Sequence, residues 1–363
     1  MTPTRLYLDH AATTPVLPEA RTAMAEALAA WANPSSPHAD GRAARAALEE
    51  ARGRIADALG WRHDVILTSG ATEAIGIAAA RARVPGRSRG PTEHDAVVAA
   101  LGPTAVQLLV GADGVIDRSV LDSELAEGPA LIAIQHANNE TGVVQPLGTI
   151  AETVRTAGSL LLADCAQIAG KLPLPDADFI AVSAHKLGGP PGMGALLVKN
   201  IATLDPRGGQ ERGYRRGTEN LPAAAGFAAA LQSRAFTEAI PRLTELRATL
   251  EQALVRAGGT VIAAGSERIP TIGAYAMPGV SSASQLVQFD LAGIAVSAGS
   301  ACSSGSMKPS RVLGAMGIPP EIAASVIRVS FGPDTSADDI ERFLAEWRRM
   351  AERAGVQPGE KAA

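Results

Sequence analysis

Apolar positions along the chain fall into two alternating patterns. Within 41–59, Ala44, Leu48, Ala51, Ile55 and Leu59 recur every three or four residues, the stripe of a helix with one buried face. Val65-Ile66-Leu67 follows, a short and wholly apolar run that reads as a buried strand. Similar runs return at Leu131–Ile134, Ser159–Ala163, Phe179–Val182 and Ala195–Val198. Helical patterns separate several of them, as at 148–157, and a further helix is expected over 18–30 with Pro18 in its first turn. Such alternation predicts an α/β domain with a mostly parallel sheet. Helices are expected to fill most of 221–256. Beyond them the texture changes to short strands and helices at 260–263, 272–276, 283–291, 294–297 and 326–331, with a last helix over 336–353. This predicts a second, smaller α+β domain.

Composition narrows the function classes. At about 150 residues per domain, 363 residues predict two domains. Hydrophobic residues make up 46% and charged residues 19%, enough for a large core and against disorder. The formal net charge of −4 offers no basic field to nucleic acid, and 3% aromatics leave little for base stacking. Two cysteines exclude a disulfide framework and a Cys-only zinc site, so no metal site is expected. The apolar runs are too short to span a bilayer and no targeting segment stands out, so the expected location is cytoplasmic.

In open α/β sheets ligands gather beyond the carboxyl ends of strands, so the residues after each predicted strand were compared. Thr68-Ser69-Gly70-Ala71-Thr72-Glu73 opens a helix; its small residues and hydroxyls read either as an anion cup of backbone N–H groups or as an ordinary N-cap turn. In Gln135–Gly142, seven of eight residues are polar or glycine, which suits a hydrogen-bonded loop or a polar site. Asp164 can be a cap or the partner of a cationic ring nitrogen. Ser183-Ala184-His185-Lys186 precedes a glycine-rich turn. Most lysines are solvated, but one desolvated behind a buried strand has a lowered pKa and can form a Schiff base. Together these loops hold the parts needed for pyridoxal phosphate: a phosphate cup, a ring-nitrogen partner and a Schiff-base lysine. Cys302 lies among small polar residues in Ser297–Ser306, a context for a reactive thiol rather than a buried space-filler.

Segments in order along nearly the whole chain resemble the cysteine desulfurases of the class V aminotransferase family. They are Tyr7–Thr14, Asn33–Ser36, Gly70–Glu73, Glu93-His94, Asn138–Glu140, Asp164 with Gln167, Ser183 with His185-Lys186, Gly209–Gly213, Arg216–Asn220, Gly299–Cys302 and Ile327–Ser330. The Gly-Ser-Ala-Cys form of the cysteine loop is similar to the NifS/IscS branch. The resemblance implies the fold type I of pyridoxal 5'-phosphate enzymes and a homodimer. It implies a large cofactor domain over 11–240, and a small domain from 1–10 and 241–363 that carries the cysteine loop. Lys186 would hold the cofactor, His94 would stack on its ring and relay protons, Asp164 would pair with the ring nitrogen and Gln167 with the ring oxygen. Ala71, Thr72, Ser183 and His185 would hold the phosphate, and Thr218 would reach the partner subunit's phosphate. Asn139 and Arg328 would bind the substrate carboxylate. The implied reaction turns L-cysteine into L-alanine, with sulfur carried as a persulfide on Cys302 to an acceptor protein such as an iron–sulfur scaffold or a thiolation enzyme. A selenocysteine lyase or a small-amino-acid aminotransferase is the alternative on the same fold.

Some positions depart from the family pattern. The stretch between Glu73 and His94 is short, so a trimmed helix or strand is expected there. Gly76 stands near a common Asn, and Cys165 replaces a small residue beside Asp164, either as a space-filler or as an oxidisable thiol. His10 is expected to be structural or at the site rim. Glu49, Glu50 and Arg52 are expected on a solvated helix face.

Overall fold

A computed structural model describes residues 5–299 and 309–357. Its strands in chain order are β1 (Leu6–Tyr7), β2 (Asp64–Thr68), β3 (Gly86–Arg89), β4 (Val106–Gln107), β5 (Ala130–Gln135) and β6 (Leu160–Asp164), then β7 (Phe179–Ser183), β8 (Gly194–Val198), β9 (Thr260–Val261), β10 (Ile272–Ala276), β11 (Ile294–Ala295) and β12 (Val326–Ser330). Seven of them form one sheet in the order β2-β8-β7-β6-β5-β3-β4. Only β8 runs against its neighbours, β2 and β7. Four of the five runs expected as buried strands, β8, β7, β6 and β5, lie side by side within the sheet, the fifth, β2, is its edge, and "mostly parallel" describes it.

Alternation within each strand shows why. Ile132 and Ile134 of β5 and Ile180 and Val182 of β7 pack into one apolar layer. Leu131, Ala133, Phe179 and Ala181 face the other. Helices cover both faces, so both sets are apolar and the strands read as continuous runs. The stripe Ala44, Leu48, Ala51 and Ile55 sits on the helix Ala39–Ala58 and enters the first layer.

The stretch between Glu73 and His94 lacks neither element: it holds the helix Ala71–Arg81 and β3. β3 itself, Gly-Arg-Ser-Arg, carries no hydrophobic signal. Arg87 and Ser88 find tertiary partners instead, whereas the Nε of Arg89 is buried without one. Arg87 donates to the carbonyls of Ala79, Ala82 and Val84 around the end of that helix, and Ser88 donates to Glu124 at 2.6 Å.

A second body packs β10 between β9 and β12, all antiparallel. Its core gathers Phe289, Phe343 and Trp347 from the helices Ser282–Leu291 and Ala337–Arg353, with the Phe289 and Phe343 rings stacked at 4.8 Å. Leu6 and Leu8 join this core, and β1 pairs with β11.

Arg52 corrects an expectation. It is 8% exposed, not solvated, and its guanidinium grips both carboxylate oxygens of the buried Glu211 and the carbonyl of Val65. Glu211 also accepts the N–H of Leu67 at 2.8 Å. The Glu211 carboxylate raises the pKa of Arg52 against the cost of burial. The pair ties the 209–218 segment to β2. Replacing one member strands the other in the interior, so Glu211→Gln is expected to lower unfolding stability by about 3 kcal/mol. Urea denaturation checks this, and a loss below about 1 kcal/mol would place the pair among weak surface bridges.

Candidate active site

Strands β2, β3, β5, β6 and β7 all end on the same edge of the sheet. The loops that follow them line one open cavity of about 760 Å³. Ala71, Thr72, His94, Asn139, Asp164, Gln167, Ser183, His185, Lys186 and Arg328 all border it. Ten expected site residues from six segments thus meet in one place. Two do not. Thr218 is exposed and lies outside the cavity lining. Cys302 lies outside the described residues, while Gly299 and Pro309 border the cavity.

Lys186 follows β7 on a single 3-10 turn and is mostly buried. Its Nζ donates to the carbonyls of Ala11 and Ala12, each at 2.7 Å. Burial, and then the charge of Arg328, lowers its pKa to about 8, against the pull of Asp164 and Asp9. Asp164 ends β6 in the interior, where one carboxylate oxygen accepts the N–H of Ala166 at 2.9 Å. Burial raises its pKa, and His94 and Lys186 oppose that rise. Gln167 donates to the carbonyl of Ala11, and its own Oε1 is buried without a partner.

His94 caps the helix Asp95–Leu101, and its Nδ1 accepts the N–H of Ala96 at 3.1 Å. In the neutral ring that bond puts the proton on Nε2. His185 faces Thr13, with Nδ1 3.1 Å from the hydroxyl, and burial followed by the charge of Lys186 lowers it to about 4, so its ring is neutral. His10 packs its ring against Gly332, where even a Cβ would come within 2.1 Å, which gives it a structural role.

The pocket's far end fits an anion. Gly70 caps the helix Ala71–Arg81 without a side-chain hydrogen bond, so the first N–H groups there stay open. Gly194 lets this turn approach β8, since a Cβ there would lie 2.6 Å from the Gly70 Cα. Ser183 and His185 border the same end. An anion cup, a buried carboxylate, an orphaned amide oxygen and a lysine with a lowered pKa form the donor set that pyridoxal 5'-phosphate needs.

The aminotransferase class-V family profile matches residues 6–343. A cysteine desulfurase of Cereibacter sphaeroides is 37% identical over 365 residues, covering 94% of both chains. The cysteine desulfurase IscS of Dictyoglomus turgidum is 35% identical over 96% of this chain and 95% of its own. Among solved structures, a NifS-like protein from Rickettsia africae superposes with a TM-score of 0.85 at 28% identity, covering 96% of this chain and 99% of that one. The chain belongs to the class-V aminotransferase family. Its fold is therefore type I of the pyridoxal 5'-phosphate enzymes, and that cofactor is the one its site takes.

Several contributors were not singled out by the sequence. Glu93 is 1% exposed, accepts the N–H of Gln135 at 3.0 Å and has its other oxygen unpartnered. Burial, with Asp164 adding to it, pushes its carboxyl well above the usual range. Lys171 is buried 4.9 Å from the Phe236 ring, and burial followed by Lys186 lowers it to about 7. Asp9 pairs with Arg328 at 2.7 Å. Asp9 and Glu93 left a trace, each as part of a matched motif; Lys171 left none. Of the departures, Gly76 meets open space, and Cys165 is wholly buried with its thiol pushed well up, a space-filler.

Because the neutral amine is the nucleophile, pyridoxal 5'-phosphate added to cofactor-stripped protein should attach faster as pH rises through about 8, then level off. Stopped-flow absorbance checks this. A rate still climbing toward pH 10, as about the ordinary lysine value requires, would mean that burial does not govern Lys186.

Proposed function

We propose that this chain removes sulfur from L-cysteine, leaving L-alanine, with Lys186 and Cys302 as the reacting groups. The observation that carries the reading is Lys186: a buried amine of lowered pKa that shares one cavity with Asp164, Gln167 and Arg328. The extent of the relationship to cysteine desulfurases supports the substrate.

In this reading the N–H groups of Ala71 and Thr72, with Ser183 and His185, hold the phosphate. Asp164 holds a proton on the ring nitrogen, Gln167 bonds the ring oxygen, His94 covers the ring and Lys186 is the covalent attachment. The cofactor, when bound, supplies an electron sink for charge that develops on the substrate's Cα. Arg328 and Asn139 take the substrate carboxylate. The freed Lys186 amine then takes the proton from Cα, which its lowered pKa suits near neutral pH. The Cys302 thiolate bonds the substrate sulfur as the carbon–sulfur bond breaks; the electron pair stays with carbon, which gains a proton and becomes the alanine methyl. Sulfur leaves as a Cys302 persulfide for an acceptor protein, such as an iron–sulfur scaffold or a thiolation enzyme.

The assembly we propose is a homodimer, in which exposed Thr218 completes the partner's phosphate site. The division into a cofactor domain (11–240) and a small domain (1–10 with 241–363) is supported by Leu6 and Leu8 packing with Phe343 and Trp347. Among the described residues no helix is long and apolar enough to cross a membrane, in keeping with our cytoplasmic assignment.

Wild type should release alanine and sulfide from L-cysteine with a reductant, and Cys302→Ala should lose both while keeping the cofactor's visible absorbance. Alanine formation that survives the substitution would overturn the thiol's role, and no alanine from either protein would favour an aminotransferase. Light scattering should return twice the chain mass; a monomer with full cofactor occupancy would remove Thr218 from the site.

A further inference from the structure

Arg328 sits on β12 and is 6% exposed, deep enough that its charge needs a permanent partner. One terminal nitrogen donates to the Asp9 carboxylate at 2.7 Å, and the other to the carbonyl of Asn139 at 3.0 Å. The third, Nε, is buried with no partner. Two protein acceptors thus fix the plane of the guanidinium, and three of its five N–H groups stay unspent.

We infer that Asp9 is the positioning residue of the substrate-carboxylate site, orienting Arg328, which borders the cavity, so that its unspent N–H groups meet the incoming α-carboxylate. This rests on the assignment of Arg328 under the proposed function. Asp9 takes a single N–H of one terminal nitrogen and so leaves donors for that carboxylate. It is itself held: its carbonyl accepts from the Tyr7 hydroxyl at 3.1 Å and from the N–H of Ala12 at 3.0 Å. The preceding residue is tied on both sides, Leu8 N–H to Ala295 and Ser330 N–H to the Leu8 carbonyl.

The chemistry of an amino acid explains the arrangement. Its carboxylate and amine are borne by one carbon, so the groups that receive them must keep a fixed separation. Asp9 sets Arg328, and two and three residues on, the carbonyls of Ala11 and Ala12 receive Lys186. One short segment therefore holds both Arg328 and Lys186, the two cationic side chains between which the substrate must fit. Preorganisation of this kind lowers the entropy lost on binding.

The test titrates the holoenzyme with L-alanine and with ethylamine, following the bound cofactor's absorbance. Both ligands carry the amine, and only alanine carries the carboxylate. Asp9→Ala should weaken L-alanine about tenfold more than it changes ethylamine, the loss expected when a charge-assisted hydrogen bond is no longer held in place; the Asp9 charge also acts on Lys186, so a change shared by both ligands is set aside. Asp9→Asn keeps an acceptor oxygen and should lose about threefold more for alanine than for ethylamine. It decides the matter should Asp9→Ala not fold. Equal weakening of both ligands, or no change in either, overturns the inference. Arg328→Ala is the reference. If it abolishes the preference for alanine while the Asp9 variants keep it, only the role of Asp9 falls. If it leaves the preference intact, the assignment of Arg328 falls as well.

Discussion

A lysine amine can be taken out of water only where acceptors replace the water, and here they are two backbone carbonyls, those of Ala11 and Ala12. Much of the site's geometry depends on that need. The carbonyls belong to a segment that runs on from β1, which pairs with β11, and Leu8, which packs in the smaller core. Lys186 belongs to the end of β7 in the large sheet. The same segment is bound repeatedly by its neighbours there: Gln167 donates to Ala11, and Thr14 donates its N–H to His185 at 2.8 Å. Solvating one amine thus holds two bodies in register. Without this segment Lys186 would have to turn toward water, and the lowered pKa that makes it a useful base would be lost.

Placing several ionisable groups in one interior forces a choice of charge states. Glu93 and Asp164 are both buried, and the charge of Asp164 adds to burial in raising Glu93. Burial raises Asp164 too, but there the Ala166 N–H, His94 and Lys186 oppose it. Glu93 is the one pushed well above its ordinary value, so its charge is the more costly of the two. His185 and His136 are held neutral by burial, which keeps further positive charge away from Lys186. The Arg52–Glu211 pair answers the same problem beneath the 209–218 segment by full pairing rather than by neutralisation.

How far the sequence could be read follows from where the signal lies. The middle strands were legible because both faces are covered, so Leu131–Ile134 and Phe179–Val182 are apolar throughout. The helix Ala39–Ala58 was legible from its stripe. β3 was not, because it is built of arginines and a serine, and Arg87 and Ser88 are held by contacts that no local pattern encodes. Arg52 was misread for a related reason: a charge on an exposed-looking helix position is buried by an acid 159 residues away. In the site, residues that sit after buried strands could be anticipated, since topology alone brings strand ends together. Glu93 and Asp9 could not be given roles, because theirs are defined by tertiary partners, Gln135 and Arg328.

The cavity has two ends with different origins, and the loop between them is the joint. The anion cup, Asp164 and Lys186 rest on strand ends of one rigid sheet, as a cofactor held in a single orientation requires. Arg328, Pro309 and Arg311 come from the smaller body. They reach the sheet's edge only through loops: Arg328 through Asn139, Ser310 through Glu140 at 2.5 Å, and Arg311 through the carbonyl of Pro91 at 2.8 Å. The 138–144 loop takes part in most of these ties, and it is braced from both sides. Ile269 donates to the carbonyl of Gly142, and Val144 to that of Glu267, each at 2.8 Å. Gly142 has φ of +78°, and a Cβ there would lie 2.6 Å from the carbonyl oxygen of Ile272. Only glycine allows that approach. Movement of the smaller body must therefore be passed to Asn139 and Arg328 together, which couples the substrate's carboxylate to the cofactor's pocket through one stretch of backbone.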